Sequence, residues 1–283
     1  MKLVTFEKDG REGFGAVSGD RVIDLTGRVA GSDSLAALLE ADGLAAARAF
    51  CEGPPGDFAL TDCVLLPVVP RPSKIICLGL NFKGHVTETG RPMPARPVIF
   101  HRHAQTLTAH DAALIRPVVS EQLDYEGELC VVIGKRGGNI APDDAMAYVA
   151  GYTCFNEASI RDWQKHSHLY GMGKNFRGTG AVGPWMVTAD EIPDPARLVL
   201  TTTLNGSEVQ RAGIDDFIFP IPELISYVSQ ALDWLPGDLL VTGTPSGVGL
   251  FQNPPRFLRP GDVVEVSITE IGTLRNTVVD QQP

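Results

Sequence analysis

Apolar runs and the polar residues between them divide the first 70 residues into short elements. KLVTFE and RVIDL predict strands, and SLAALLEADGLAAARAF predicts one helix from Ser34 to about Phe50. TDCVLLPVV predicts a further strand, and the prolines of PRPSK, residues 70–74, favour a linker. We therefore predict a small N-terminal α+β domain over residues 1–70 and a second domain over residues 71–283.

From residue 71 onward, short apolar runs separated by Gly and Pro predict many strands. The runs are KIICLGL, PVIF, DYEGELCVVIG, GYTCFNE, PWMVTA, RLVLTTTL, DLLVTGT and VVEVSI. Asn205-Gly206 predicts a two-residue hairpin turn. Helices are predicted after Asn156 in EASIRDWQKH and in PELISYVSQAL, where Pro222 lies near the first turn. The predicted fold class is therefore α+β and β-rich.

Composition, charge and cysteine content exclude several classes of protein. The 283 residues are 43% hydrophobic and 20% charged, which is typical of a globular protein rather than a disordered one. A net charge of −10 argues against a nucleic-acid partner. No apolar run approaches the roughly 18 residues that span a membrane, and the N-terminal residues lack a signal-peptide core. The five cysteines, without a CxxC motif, indicate reduced thiols, so we expect a cytoplasmic protein.

Two glutamates stand in DYEGE, immediately before the apolar run LCVVIG. Because alternate residues of a strand share a face, Glu126 and Glu128 project to the same side, about 6 to 7 Å apart. Two such carboxylates repel each other unless a cation compensates, and hard oxygen ligands favour Mg²⁺, Mn²⁺ or Ca²⁺ over zinc. The alternative is a solvated strand end with two exposed glutamates.

Other polar residues could carry chemistry at turns and junctions. Glu157 follows a predicted strand where a helix begins, although a glutamate is also favoured there by the helix dipole. His85 and Glu88 are three residues apart and would face each other in a helical turn as a general base pair. The Gly and Pro residues around them predict a mobile loop, from about His85 to Met93, that closes over a site. The alternative for this segment is an exposed polar loop.

Six motifs together resemble the fumarylacetoacetate hydrolase family over roughly residues 70–280. In order they are GLNFKGHVTETG, LDYEGELCVVIG, GYTCFNEASIRDWQ, GKNF, IPELISYVSQ and PGDLLVTGTPSGVG. The resemblance implies a mixed β-roll, a homodimer, and Mg²⁺ or Mn²⁺ held by three carboxylates, with Ca²⁺ as a substitute in a crystal. The matching ligands are Glu126, Glu128 and Glu157. The family more often has Asp at the third position, so Glu157 is a departure.

The resemblance also implies roles for six further positions. His85 and Glu88 match the pair that activates water, and Lys174 matches the lysine beside the metal and the substrate. The expected substrate-binding residues are Gln164, Thr244 and Arg161, of which Arg161 is also expected to give structural support.

The function that follows is hydrolysis of a C–C bond in acylpyruvate-type diketo acids by a metal-dependent enzyme, in aromatic-compound breakdown. His85 would deprotonate water for attack on the distal carbonyl, while the metal stabilises the enolate that leaves. One alternative is an isomerase or decarboxylase of a 2-oxo dicarboxylic acid that uses the same metal. An alternative from another class is a catalytically inactive ligand-binding protein. The sequence leaves the distal group of the substrate open.

Overall fold

The computed structural model describes residues 1–53 and 55–282, and its regular structure is mostly strand. The strands are β1 (Lys2–Lys8), β2 (Arg11–Ser18), β3 (Arg21–Asp24), β4 (Phe58–Ala59), β5 (Val64–Leu65), β6 (Ile75–Gly79), β7 (Val98–Arg102), β8 (Leu107–Thr108), β9 (Ala113–Arg116), β10 (Leu123–Asp124), β11 (Gly127–Ile133), β12 (Val149–Glu157), β13 (Ser159–Ile160), β14 (Gly180–Thr188), β15 (Val199–Leu204), β16 (Ser207–Gly213), β17 (Leu239–Val241), β18 (Val263–Ile268) and β19 (Gly272–Asp280). The helices are α1 (Leu35–Glu40), α2 (Leu44–Cys51), α3 (Lys83–Thr89), α4 (Arg161–Gln164) and α5 (Ile221–Ser229).

Two sheets enclose the main apolar core. The larger has the order β4-β3-β2-β1-β14-β12-β11-β17-β6-β7, with β5 paired to β1 and β8 paired to β14. The other has the order β16-β15-β18-β19-β9, and β10 and β13 form a separate pair. Leu129 and Val131 of β11 belong to the same buried cluster as Leu200 of β15 and Val266 of β18. The alternating buried positions of β15 and β18 are the pattern expected of a sheet with one face on a core.

The pairing of β11 with β12 joins two distant segments of the chain. The strands are antiparallel, with Gly127 opposite Asn156 and Glu128 opposite Phe155. The beginning of β11 therefore lies beside the end of β12. All residues of both strands are buried. Polar side chains at these two strand ends are consequently held inside the protein and not at a solvated edge.

The N-terminal segment extends the larger sheet. Strand β1 pairs with β14, with Lys2 opposite Val187. Leu3 and Phe14 belong to the same buried cluster as Val132 of β11. The domain boundary between residues 70 and 71 stays a prediction, since the sheet and this apolar cluster continue across it. Of the predicted strand TDCVLLPVV, only Val64–Leu65 pairs, against β1.

The predicted helices differ from the observed ones mainly in length. The helix from Ser34 to about Phe50 is divided into α1 and α2, because Asp42 between them has a positive φ of 51°. After Asn156 only the four residues of α4 are helical, since the preceding residues form β13. The prediction of α5, with Pro222 in its first turn, is confirmed. None of the helices within residues 1–53 and 55–282 has the length and apolar character needed to cross a lipid bilayer.

The predicted hairpin is present between β15 and β16. Asn205 and Gly206 have φ of 52° and 78°, and Leu204 pairs directly with Ser207. Positive φ at both central residues is the geometry that favours Asn-Gly in two-residue hairpins.

Candidate active site

Three buried carboxylates meet where β11 begins and β12 ends. One oxygen from each of Glu126, Glu128 and Glu157 lies within 4.8 Å of the others. The residues are 4%, 1% and 0% exposed, respectively. The backbone N–H of Glu157 donates to the carbonyl of Glu126 at 2.8 Å, which fixes the two segments relative to each other. The structure thus brings the three predicted ligands together, and the solvated strand end does not occur.

The electrostatics of this triad favour a cation. Burial raises the pKa of Glu128 well above its usual range, and the charges of Glu157 and Glu126 raise it further. The backbone N–H of Gly243 donates to Glu128 Oε2 at 2.5 Å and opposes that shift. Three carboxylate oxygens at this spacing are the donors that Mg²⁺, Mn²⁺ or Ca²⁺ accepts. The residues present therefore fit a hard divalent cation.

Lys174 is the ammonium group next to the triad. Its Nζ donates to Glu126 Oε2 at 2.5 Å and lies 3.5 Å from Glu157 Oε2, and the residue is 3% exposed. Burial lowers the pKa of Lys174, but the charges of Glu126 and Glu157 outweigh it, and the net shift is upward. The upward shift favours the charged form of Lys174 beside the triad.

Arg161 occupies the other side of Glu126. Its Nη1 lies 2.5 Å from Glu126 Oε1, and its Nε donates to Asp124 Oδ2 at 2.8 Å. Burial raises the pKa of Glu126, but Arg161 and Lys174 more than offset this and lower it to about 2. Gln164 accepts from Arg161 Nη1 at 2.9 Å. The charge of Arg161 is thus committed to structural support, while its buried Nη2 has no hydrogen-bond partner within the described residues.

The predicted general base pair is formed, but on a helix. His85 Nδ1 lies 2.9 Å from Glu88 Oε2, and both residues belong to α3. The other oxygen of Glu88 accepts the backbone N–H of Gly247 at 2.8 Å. The expectation of a mobile loop from about His85 to Met93 is therefore wrong for residues 85–89. Val86 is 1% exposed, and this apolar anchor holds the turn in place.

A cavity of about 310 Å³ connects these groups. Seven of the nine predicted site residues line it, and they are His85, Glu126, Glu128, Arg161, Gln164, Lys174 and Thr244. The hydroxyl of Thr244 donates to the carbonyl of Gly127 and accepts from Gln210 Nε2, each at 2.9 Å. Glu88 and Glu157 lie behind the lining, where they contact His85 and Lys174.

Two buried charged residues of the site were not predicted. Arg102, at the end of β7, donates from Nε to Glu157 Oε1 at 2.9 Å. Asp124, just before the triad strand, accepts from Arg161 and from the backbone N–H groups of Gly249 and Leu250. For Arg102 the only signal in the sequence is a charged residue inside the apolar run PVIFHR, and for Asp124 it is the acidic cluster DYEGE.

Comparison with known proteins identifies the family. Residues 74–279 match the model of the fumarylacetoacetate (FAA) hydrolase C-terminal family. This chain belongs to the fumarylacetoacetate hydrolase family. The predicted resemblance and the strand-rich α+β fold class are thereby confirmed, and a solved structure of a putative HpcE protein from Mycobacterium smegmatis has a TM-score of 0.87 at 32% identity, with all of both chains covered.

Relatives of this chain include both tautomerases and a hydrolase. The mitochondrial oxaloacetate tautomerase FAHD2A of Bos taurus is 40% identical over 77% of this chain and 70% of its own length. The Rattus norvegicus oxaloacetate tautomerase Fahd2a is 41% identical over 76% of this chain and 69% of its own. A maleylpyruvate hydrolase from Sphingobium sp. SYK-6, solved with manganese(II) and pyruvate, has a TM-score of 0.84 at 27% identity, covering both chains fully. These comparisons therefore give an enzyme family, one member of which was solved with manganese(II), but do not select one reaction.

Proposed function

We propose that this chain is a divalent-metal-dependent enzyme that enolises 2-oxo acids, with His85 as the proton-transfer base. The observation that carries the proposal is that Glu126 and Glu128 of the triad line the same cavity as His85. A 2-oxo acid has two adjacent oxygens that a hard cation can bind. Farther along the molecule it has an acidic hydrogen or a reactive carbonyl. The triad and His85 can therefore act on the two ends of such a molecule within one cavity.

The contacts of each site residue indicate its role in the proposed reaction. Glu126, Glu128 and Glu157 would hold Mg²⁺ or Mn²⁺, which supplies a Lewis acid for the 2-oxo and carboxylate oxygens. Lys174 offsets negative charge that develops on the substrate oxygens. The contact between His85 Nδ1 and Glu88 keeps the Nδ1 proton in place, so Nε2 accepts a proton. The bond from Gly247 to Glu88 holds this pair against the cavity.

The leading candidate reaction is keto–enol tautomerisation of oxaloacetate. The favouring observation is the 38–41% identity to oxaloacetate tautomerases from cow, human, rat and frog, over 76–77% of this chain. In this reaction His85 takes a proton from C3 of the keto form, and the electron pair of the C–H bond forms the C2–C3 double bond. The oxygen at C2 then gains a proton, which completes the enol.

The second candidate is the hydrolysis of acylpyruvate-type diketo acids expected from the sequence. The maleylpyruvate hydrolase neighbour is the observation that favours it. His85 would deprotonate water, the hydroxide would add to the distal carbonyl, and the C–C bond would break toward the 2-oxo acid fragment. That fragment leaves as an enolate and takes up one proton, so the products are a carboxylic acid and pyruvate. An enolate of this kind would also form in the reaction of an isomerase or a decarboxylase.

A spectrophotometric panel tests these reactions. Protein stripped of metal and resupplied with Mg²⁺ or Mn²⁺ is assayed with oxaloacetate, whose enol absorbance reports tautomerisation. Acetylpyruvate and maleylpyruvate report hydrolysis by loss of their diketone absorbance. His85→Ala is the site variant, and His101→Ala, an exposed histidine on β7, is its matched control. Metal binding without turnover of any compound would instead favour the inactive ligand-binding protein. The homodimer and the cytoplasmic location stay predictions that gel filtration and cell fractionation would check.

A further inference from the structure

The cavity of the active site contains basic side chains that neither proposed reaction uses. Besides the triad and its neighbours, the lining includes Arg91, Lys165 and His168, all three exposed at the opening. The carboxylates among the lining residues are Glu126 and Glu128; Glu126 is paired with Arg161 and Lys174, and Glu128 accepts from the backbone N–H of Gly243. In the described residues, none of these three basic side chains has a carboxylate within 4.0 Å. The opening therefore carries positive charge without an internal counterion.

Arg91 is held in place by an aromatic wall. Its Nη1 donates to the hydroxyl of Tyr170 at 2.6 Å, and its guanidinium carbon lies 5.9 Å from the centre of that ring. Tyr170 has a φ of 59°, in the left-handed region that a bulky residue seldom occupies. Its ring meets the edge of Phe100 at 6.5 Å, and Phe100 in turn lies 5.0 Å from Lys174 Nζ. One wall of the cavity thus leads from the triad to Arg91.

We propose that Arg91, assisted by Lys165 and His168, forms a subsite for a carboxylate at the distal end of the substrate, so that this enzyme selects 2-oxo dicarboxylic acids. The proposal rests on the proposed function in one respect, namely that the 2-oxo acid end binds at the triad. A guanidinium has five N–H donors, and the contact with Tyr170 uses one of them. The remaining donors can hold a carboxylate in the two-pronged geometry that arginine favours.

A matched pair of ligands isolates this subsite from the reaction. 2-Oxoglutarate and 2-oxopentanoate have the same five-carbon chain and the same 2-oxo acid end, and only the first has a distal carboxylate. Binding of each to the Mn²⁺-loaded protein is measured by calorimetry. We expect wild type to bind 2-oxoglutarate about 10- to 100-fold more tightly, the range for a hydrogen bond between charged groups.

Variants at Arg91 should remove that preference selectively. Arg91→Met is expected to bring the two affinities to within about threefold while leaving 2-oxopentanoate binding unchanged. Arg91→Lys keeps the charge and should retain part of the preference. Arg96→Met is the matched control, since Arg96 is an exposed arginine of the same loop that does not line the cavity. Melting curves verify that each variant is folded.

Each other outcome overturns a specific part of the proposal. Equal affinities of wild type for the two ligands, or an equal loss of both in Arg91→Met, would reject the carboxylate subsite. No binding of either ligand in the presence of Mn²⁺ would reject both the subsite and the 2-oxo acid function. A preference for 2-oxoglutarate that depends on Arg91, together with no turnover in the spectrophotometric panel, would support the subsite and reject only the proposed reactions.

Discussion

The guanidinium of Arg102 holds one carboxylate oxygen of Glu157 at 2.9 Å, and both side chains are 0% exposed. Its other N–H groups are bound to the carbonyl of Ala158 and to the hydroxyls of Thr106 and Thr179. Arg102 is thus rigidly anchored, and Glu157 has only Oε2 left to turn toward Lys174 and the triad. This contact restrains the side chain of Glu157.

The first prediction follows from that contact. Arg102→Met should weaken Mn²⁺ binding about 10- to 100-fold, because partners that orient a metal ligand typically contribute that much to metal affinity. Calorimetric titration of the metal-stripped protein measures the change. Arg102→Lys preserves the buried charge and should bind Mn²⁺ more tightly than Arg102→Met does.

The control for Arg102 is Lys74→Met, which breaks the partly buried ion pair with Asp238 away from the cavity. It should leave the Mn²⁺ affinity unchanged. If Arg102→Met is folded and binds Mn²⁺ as wild type does, Arg102 does not orient Glu157 toward a metal.

A second prediction compares the stability of variants at two residues of the triad, Glu126 and Glu128. Both Glu126→Gln and Glu128→Gln should lose metal-dependent activity. Without metal, Glu126→Gln should lower the free energy of unfolding by about 3–5 kcal/mol, because Arg161 and Lys174 lose a buried partner. Glu128→Gln should cost far less or even stabilise the protein, since the charge of Glu128 is opposed by burial and by two other carboxylates.

Denaturant unfolding in the presence of a chelator measures both variants of the triad. Equal destabilisation by the two substitutions would contradict the assignment of Arg161 and Lys174 to Glu126. Full turnover of either variant with a chelator present would contradict the metal site itself.

A third prediction concerns Asp124, which sequence analysis left without a role. Its carboxylate is fully buried and is bonded to Arg161 Nε and to the N–H groups of Gly249 and Leu250. Asp124→Asn removes the charge opposite a buried guanidinium and should destabilise the fold by about 3–5 kcal/mol. Thermal and denaturant unfolding report this loss. The exposed Asp9→Asn is a matched control and should change the stability little.

The sequence predicts this site where local pattern alone determines geometry. The spacing of Glu126 and Glu128 predicts that both share one face, and both line the cavity, although Glu126 lies just before β11 begins. Arg102 and Glu157 are 55 residues apart, and no local pattern tells which carboxylate a buried arginine meets. Long-range pairing of this kind is decided by the strand order, which propensities do not determine.

The segment around His85 is a second place where the local sequence pattern is not sufficient to predict the structure. Its glycines predict a mobile loop, yet burial of Phe82 and Val86 and a bond from the backbone N–H of Gly84 to Asp216 hold it as α3. These tertiary contacts outweigh the weak local propensity for helix. The hairpin at Asn205 is the converse case, because there the turn residues alone determine the backbone geometry.

The last prediction distinguishes the reactions that the site could support. His85→Ala should lower tautomerisation or hydrolysis about 10²- to 10⁴-fold, the usual range for loss of a general base. Glu88→Gln should lower the same rate less, because the amide oxygen still accepts from His85 Nδ1 but no longer stabilises the protonated ring. Any decarboxylation of oxaloacetate should be far less affected by either change, since loss of CO₂ from a chelated 2-oxo acid needs neither activated water nor proton abstraction from carbon. Initial rates of the reactions on the same preparations of wild type and both variants give the comparison, with His101→Ala as the control. Equal losses in all reactions would mean that His85 serves substrate binding or the position of α3, and no loss in any of them would return His85 to a structural residue beside the cavity.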